Sequence, residues 1–226
     1  MKDGLDAVLF DLDGTLLDTA PDFHWVINQL LLEEGRPAVS LEFMREHVSN
    51  GARAMVCAAF EITIDDPDFG SLHQRMLDKY VEHLDVDTVP FHGIQDLLGW
   101  LEENGILWGI VTNKPERYTV PVMHGLKLQQ RAASIVCPDH VSETKPHPEP
   151  LFLACNQMQC TPERTLYVGD HCRDIESGRR AGMVTIGALY GYIDKDTDTQ
   201  AWQADHYVDC ASEIRPLLQS LYAIQD

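Results

Sequence analysis

The stretch AVLFDLDGTLLDT, residues 7–19, decides the reading of the whole chain. Ala7-Val8-Leu9-Phe10 shows no alternation of apolar and polar residues, so it is expected as a strand buried on both faces, as in a parallel sheet. Two carboxylates, Asp11 and Asp13, follow at once, with Gly14-Thr15 behind them. Residues two apart on a strand point to the same side. If the strand continues, the two acids leave it close together, and like charges there raise each other's pKa unless something positive compensates. A lone pair of acids also suits a solvated loop, so the rest of the chain has to decide.

The bulk properties narrow the choice. At 226 residues the chain is long enough for one substantial core, or one core with a smaller insert. It is 44% hydrophobic with 8% aromatics, as expected of a folded soluble protein. Its 17 Lys+Arg against 36 Asp+Glu give a net charge of −19. That balance argues against nucleic acid or an anionic membrane as partner, because both need a positive footprint. No apolar run approaches membrane-spanning length, and MKDGLDA lacks the apolar core of a signal peptide. Six scattered cysteines form no CxxC pair, so they are expected as reduced core thiols in a cytoplasm-like compartment. The histidines are dispersed, without a metal-binding spacing.

Along the chain, residues 20–85 read as mostly helical. DFHWVINQLLLEEG has helical apolar spacing and ends at a glycine, SLEFMREHVSN opens on a possible Ser40 cap, and ARAMVCAAF and SLHQRMLDKYVEHL continue the pattern. From there strands and helices alternate: the helix IQDLLGWLEENG, the strand ILWGIVTN, a helix from about Pro115, the strand ASIVC, a helix from about Pro148, the strand TLYVGD, a helix through DIESGRRAG, the strands VTIGAL and HYVD, and a closing helix. Alternation of this kind implies βαβ units and a parallel sheet. The expected fold is α/β, a doubly wound, Rossmann-like parallel-sheet core (residues 1–19 and 86–226) with a small inserted all-helical cap domain (residues 20–85).

In open α/β sheets ligands bind beyond the carboxyl ends of the strands. Four such ends carry candidate chemistry: Asp11 and Asp13; Thr112, Asn113 and Lys114 in GIVTNKP; Lys145 in the proline-flanked loop ETKPHPEP; and Asp170 and Asp174 in YVGDHCRD. Taken singly, Thr112 suits a hydroxyl bonded to its own backbone, Lys145 a solvated charge and Asp174 a helix cap. In this order, and each at a strand end or its loop, the set is a specific constellation.

On these residues the chain resembles the haloacid dehalogenase-type phosphohydrolases, whose motifs are DxDGT, a strand-end Thr/Ser, a Lys, and GDxxxD. The helical insert after the first motif is similar to the small helical cap of one branch. VTNKP and KPHPEPL resemble the phosphoglycolate phosphatase group, and GARAM, CPDHV and YGYI resemble the bacterial phosphatases of N-acetylmuramic acid 6-phosphate within it.

The resemblance implies a mechanism that answers the opening question. Asp11 attacks phosphorus and forms an aspartyl phosphate; Asp13 protonates the leaving alkoxide and later takes a proton from water. Mg²⁺, a hard cation suited to oxygen ligands, is assigned the Asp11 carboxylate, the Asp13 backbone carbonyl and Asp170. Thr112 and a backbone N–H of Asn113 hold phosphoryl oxygens, and Lys145 supplies a fixed positive charge. Asp174 holds a metal-bound water or orients Lys145. Gly14 suits a tight turn that lets backbone approach the phosphate. The leaving group falls to the cap, with Asn50, Gly51 and Arg53 facing the Tyr190-Gly191-Tyr192 region, Arg53 for a substrate carboxylate. Core packing serves the tyrosines equally well, Asn50-Gly51 also suits a plain turn, and Cys172 is read as packing.

The partner is thus a small-molecule phosphate ester, with N-acetylmuramic acid 6-phosphate preferred and phosphoglycolate the alternative, and the chain is expected as a monomer or weak homodimer. A dehalogenase would not need Asp13, and a membrane-spanning ATPase would need spans. A sugar phosphomutase stays open. A catalytically dead phosphate-binding module would normally have lost a motif, and all four are intact.

Overall fold

The computed structural model describes residues 4–222 and 224. The apolar run forms β1 (Ala7–Phe10), fully buried, followed by a two-residue strand β2 (Leu17–Asp18). Four helices come next, α1 (Ala20–Glu33), α2 (Leu41–Val48), α3 (Gly51–Phe60) and α4 (Phe69–Glu82), and then β3 (Val89–Pro90). The remaining elements alternate: α5 (Ile94–Glu103), β4 (Leu107–Val111), α6 (Glu116–Gly125), β5 (Ser134–Val136), α7 (Glu149–Met158), β6 (Thr165–Gly169), α8 (Cys172–Ala181), β7 (Val184–Ala188), β8 (His206–Val208) and α9 (Ile214–Tyr222).

Six strands make one sheet in the order β5-β4-β1-β6-β7-β8, every neighbouring pair parallel. The lack of alternation in β1 has its expected cause. Val8 and Phe10 pack into one core with Leu97, Leu98 and Leu101 of α5 and Leu218 of α9. Ala7 and Leu9 face the opposite core with Leu151 and Ala154 of α7. Helices therefore cover both faces, as the doubly wound reading requires. The chain runs from β1 outward through β4 and β5, then returns to β6 on the other side of β1. This reversal opens a crevice at the carboxyl end of β1, where Asp11 stands.

The helical stretch at residues 20–85 is α1 to α4, and Ser40 caps α2 by accepting the Phe43 N–H at 3.1 Å. Its two ends are held by a feature too short to leave a periodic signal. β2 and β3 pair antiparallel, Leu17 opposite Pro90 and Asp18 opposite Val89. One turn into α1, the fully buried Asp22 accepts the Asp87 N–H (2.8 Å), the Thr88 N–H (3.1 Å) and the Thr88 hydroxyl (2.6 Å). The entry and exit strands of the helical stretch are thus closed on one carboxylate.

The cysteines correct one expectation. All six are free thiols, but only Cys137 and Cys155 are buried, and Cys172 is exposed rather than packed. It opens α8, and its sulfur lies 3.3 Å from His171 Nδ1.

Replacing Asp22 by alanine would strand two backbone donors and a hydroxyl in a buried site. The expected cost is about 3 kcal/mol, because an orphaned buried donor costs roughly 1–3 kcal/mol. Urea unfolding should show it as a lower midpoint at unchanged slope. A midpoint equal to that of the unmodified chain would show that Asp22 does not hold the junction.

Candidate active site

The site is built around Lys145. Its ammonium has no solvent exposure and meets four oxygens: Asp174 Oδ1 at 2.7 Å, Asp11 Oδ1 at 2.8 Å, and the Val111 carbonyl and Tyr167 hydroxyl at 2.9 Å each. Burial alone would lower the Lys145 pKa, but the Asp11 and Asp174 charges outweigh it and raise the value above the ordinary one. The loop carrying Lys145 is fixed through the side chain of Asn113. Its Oδ1 accepts the Lys145 N–H at 3.2 Å and its Nδ2 donates to the Lys145 carbonyl at 3.0 Å. Asn113 therefore aligns the lysine with its side chain.

Asp174 has little capacity left for a ligand. Oδ1 faces Lys145 and the Tyr167 hydroxyl (3.3 Å), and Oδ2 accepts the His171 N–H at 3.1 Å, capping α8. Of its two expected roles, the geometry fits orienting Lys145. Asp170, one strand end away, accepts from the Thr15 hydroxyl (2.9 Å) and the Tyr192 N–H (2.8 Å). Burial, then the charges of Asp11 and Asp174, push its pKa up to about 7. Carboxylate oxygens of Asp11, Asp170 and Asp174 all lie within 4.8 Å of one another. One ammonium does not neutralise three buried carboxylates, and an all-oxygen donor set fits a hard divalent cation.

Gly14 sits at φ +88°, and a Cβ there would lie 2.2 Å from Asp170 Oδ2 and 2.9 Å from the Tyr192 ring. The space that glycine leaves is filled by a carboxylate, which differs from the expected approach of backbone to phosphate.

Asp13 parts from Asp11. The strand ends at Phe10 and a turn follows, so the two side chains are not neighbours on one face, as a continuing strand would make them. Each has its own lysine. Asp13 Oδ1 accepts from Lys114 Nζ at 2.8 Å and from the Thr19 hydroxyl at 2.6 Å. The buried Lys114 also donates to the Tyr80 hydroxyl of α4 (2.7 Å) and lies 4.9 Å from the ring centres of both Phe23 and Tyr80. Sequence reading reached Lys114 as a strand-end residue but gave it no role. Its signal was its place directly after Thr112-Asn113; its partners come from residues 80 and 13, too distant for a spacing rule.

A cavity of about 470 Å³ opens over these groups, lined by Asp11, Asp13, Thr112, Asn113 and Lys114 from the strand ends and by Ser49, Asn50, Gly51, Arg53, His73 and Tyr80 from the helical stretch. Arg117, Tyr118 and Arg173 complete the wall. The hydroxyl of Thr112 accepts the Lys114 N–H at 3.1 Å. Asn50, Gly51 and Arg53 line the same cavity as the acids, whereas neither Tyr190 nor Tyr192 lines it; Ser49 beside them donates to the Tyr192 carbonyl at 3.2 Å. Tyr190 donates to the Thr15 carbonyl at 3.0 Å, and Tyr192 to Asp18 at 2.7 Å while accepting the Ala20 N–H at 2.7 Å. Both rings pack near Phe91, away from the cavity, because their hydroxyls find partners in the β1–α1 connection. The wall facing Arg53 is Arg117 and His73, which sequence reading missed for want of any local motif. Arg173 bonds the Ser49 carbonyl and joins the GDxxxD loop to the helical stretch.

The arrangement offers a buried carboxylate at the floor of a cavity, a second carboxylate held separately by a lysine and a hydroxyl, and fixed cations beside both. The comparisons agree with it. Residues 8–188 match the family model of haloacid dehalogenase-like hydrolases. The N-acetylmuramic acid 6-phosphate phosphatase of Pseudomonas aeruginosa is 48% identical, covering 95% of each chain. A phosphoglycolate phosphatase of Xanthomonas campestris is 42% identical, covering 90% of this chain and 91% of that one. The crystal structure of a predicted phosphoglycolate phosphatase from Haemophilus somnus, 26% identical, superposes with a TM-score of 0.82 over 95% of this chain and 98% of that one.

Substituting Lys145 by methionine should cost about 3–5 kcal/mol at pH 7.5 in EDTA, the range for breaking a buried pair. Without the ammonium the folded state holds protons on Asp170 and Asp174 more tightly than the unfolded chain does. Stability of the variant must therefore fall as pH rises from 5 to 8. Denaturant unfolding of the variant and the unmodified chain at the two ends of that range checks it; a fall no steeper in the variant would show that the carboxylates do not depend on Lys145.

Proposed function

The chain belongs to the haloacid dehalogenase-like hydrolase family and is a phosphatase, and we propose that it hydrolyses N-acetylmuramic acid 6-phosphate through an aspartyl phosphate on Asp11. The Asp11 oxygen not turned to Lys145 attacks phosphorus, and the bond to the ester oxygen breaks. Asp13 gives its proton to the leaving alkoxide, then takes one from the water that splits the aspartyl phosphate, which releases inorganic phosphate, frees the Asp11 carboxylate and returns Asp13 to its protonated form. Lys114 and Thr19 occupy one Asp13 oxygen, which leaves the other to carry the proton. Thr112 and the Asn113 N–H receive phosphoryl oxygens. Mg²⁺ fits the Asp11 and Asp170 carboxylates with the Asp13 main-chain carbonyl, and when bound it offsets charge on the phosphoryl group.

The cavity carries the substrate reading. A volume of about 470 Å³ is that of a site for a sugar-sized ligand, and a two-carbon acid phosphate would leave most of it to water. The helical stretch acts as a cap, and Asn50, Gly51 and Arg53 meet the leaving group. Phosphoglycolate is the second reading, favoured by relatives of 42% identity that bear that name. Free thiols throughout support a reducing, cytoplasm-like compartment.

Asp11→Asn should abolish turnover, and Asp13→Asn should cost at least about a hundredfold, the low end for general acid–base catalysis. Phosphate release from purified protein checks both, and normal turnover in either variant would overturn the assignment. In the same assay N-acetylmuramic acid 6-phosphate should exceed phosphoglycolate in kcat/KM, and the reverse order would favour the second reading.

Metal dependence has a signed pH signature. With its pKa near 7, Asp170 binds a proton that a cation must displace. Mg²⁺ affinity of EDTA-stripped protein should therefore fall as pH drops below 7, by up to about tenfold per unit. Calorimetric titration at pH 5.5, 6.5 and 7.5 measures it, and a pH-independent affinity would remove Asp170 from the ligand set.

A further inference from the structure

We propose that Arg53 and Arg117, with His73 beside them, form a subsite for a second anionic group on the substrate, clasped between the helical insert and the sheet. It rests on the phosphatase reading, since the first anion is the phosphoryl group over Asp11. Arg53 comes from α3, His73 from α4 and Arg117 from the first turn of α6, and all three line the cavity that Asp11 and Asp13 floor.

Charge and place together single these residues out: Arg36 and Arg173 bond backbone carbonyls and Arg179 bonds Gln203, whereas Arg53 and Arg117 stand at the cavity. The chain carries a net −19, and Arg45, Arg75, Arg131, Arg164 and Arg180 each pair with a carboxylate. Among the described residues no carboxylate lies within ion-pair distance of Arg53 or Arg117. In so acidic a protein, two unpaired guanidiniums on one cavity wall are a built positive patch. Arg117 is held by lying 4.5 Å over the ring of the buried Tyr118. Burial, then the charges of Arg53 and Arg117, lower the His73 pKa, so the ring stays neutral and keeps one N–H to donate.

Two guanidiniums near one histidine repel each other until an anion enters. A carboxylate or phosphate there accepts paired N–H bonds from either fork. The residues belong to both sides of the cavity, so the anion would draw the insert onto the sheet and couple leaving-group identity to closure. A lactyl carboxylate on a sugar and a second phosphate satisfy the same chemistry.

The test compares kcat/KM within matched pairs. N-Acetylmuramic acid 6-phosphate is set against N-acetylglucosamine 6-phosphate, which lacks the lactyl ether that carries the carboxylate, and glucose 1,6-bisphosphate against glucose 6-phosphate. The unmodified protein should prefer the member with a second anionic group in at least one pair by about tenfold or more, as charge-assisted contacts allow. That ratio should collapse toward one in both Arg53→Gln and Arg117→Gln. The carboxylate pair responding identifies the sugar acid, and the bisphosphate pair a second phosphate. Both arginines are exposed, so the variants should fold, and reading a ratio within each variant removes any overall loss of activity. Ratios near one for both pairs in the unmodified protein, or a ratio that survives Arg117→Gln, would overturn the subsite. Failure of the phosphatase reading looks different: no ester would be hydrolysed at all, p-nitrophenyl phosphate included, and the subsite would fall with it.

Discussion

One buried ammonium facing an excess of buried carboxylate is the constraint on which the structure depends. Lys145 lies within 2.9 Å of four oxygens, two of them from acids, and a third acid stands within 4.8 Å of both. Removing such charges from water is expensive, and it is tolerated only when geometry and further hydrogen bonds compensate. The fold supplies that geometry from three strand ends and one helix start. β1 brings Asp11, β4 the Val111 carbonyl and the Asn113 bracket, β6 leads to Asp170, and the cap of α8 fixes Asp174. On the proposed mechanism the remaining deficit of positive charge is what makes the place reactive. A cation can be bound there, and a phosphoryl group meets fixed positive charge without reorganisation of the protein.

The second acid is treated differently, and the difference divides the labour. Asp13 is separated from Asp11 by the turn and held by Lys114, which reaches at the same time to Tyr80 on the insert. The position of the acid–base group is thus tied to the position of the insert. The junction behind it is closed by Asp22 across the two connecting strands, while Arg173 and Ser49 join the front. On the proposed mechanism, phosphoryl chemistry is fixed in the sheet and the choice of leaving group falls to the face that the helical stretch presents.

Most of this was legible in the sequence for a physical reason. Strands buried on both faces cannot alternate, so VLF, WGIV, LYVG and VTIG stand out, and polar residues following such runs have to sit at strand ends. That placed Asp11, Thr112, Lys145 and Asp170 in one crevice before any coordinates. What escaped depends on contacts between distant segments. β2 and β3 are two residues each and have no period. Lys114 reaches Asp13 across 101 positions and Tyr80 across 34, and Arg117 and His73 meet Arg53 only through tertiary packing. Asn113 was expected to work through its backbone and braces Lys145 with its side chain as well. For Tyr190 and Tyr192 the sequence leaves bordering the site and core packing equally open; hydroxyls on buried rings need partners, and theirs lie behind the site.

The central claim is that Asp11, held against Lys145, becomes covalently phosphorylated. Rapid acid quench of the Asp13→Asn variant with substrate and Mg²⁺, followed by borohydride reduction and peptide mass spectrometry, tests it directly. The account predicts that the peptide spanning residues 7–19 carries homoserine at position 11, the reduction product of an aspartyl phosphate, in substrate-dependent yield. Aspartate recovered intact at position 11 while phosphate is being released, or reduction at another carboxylate, would contradict it.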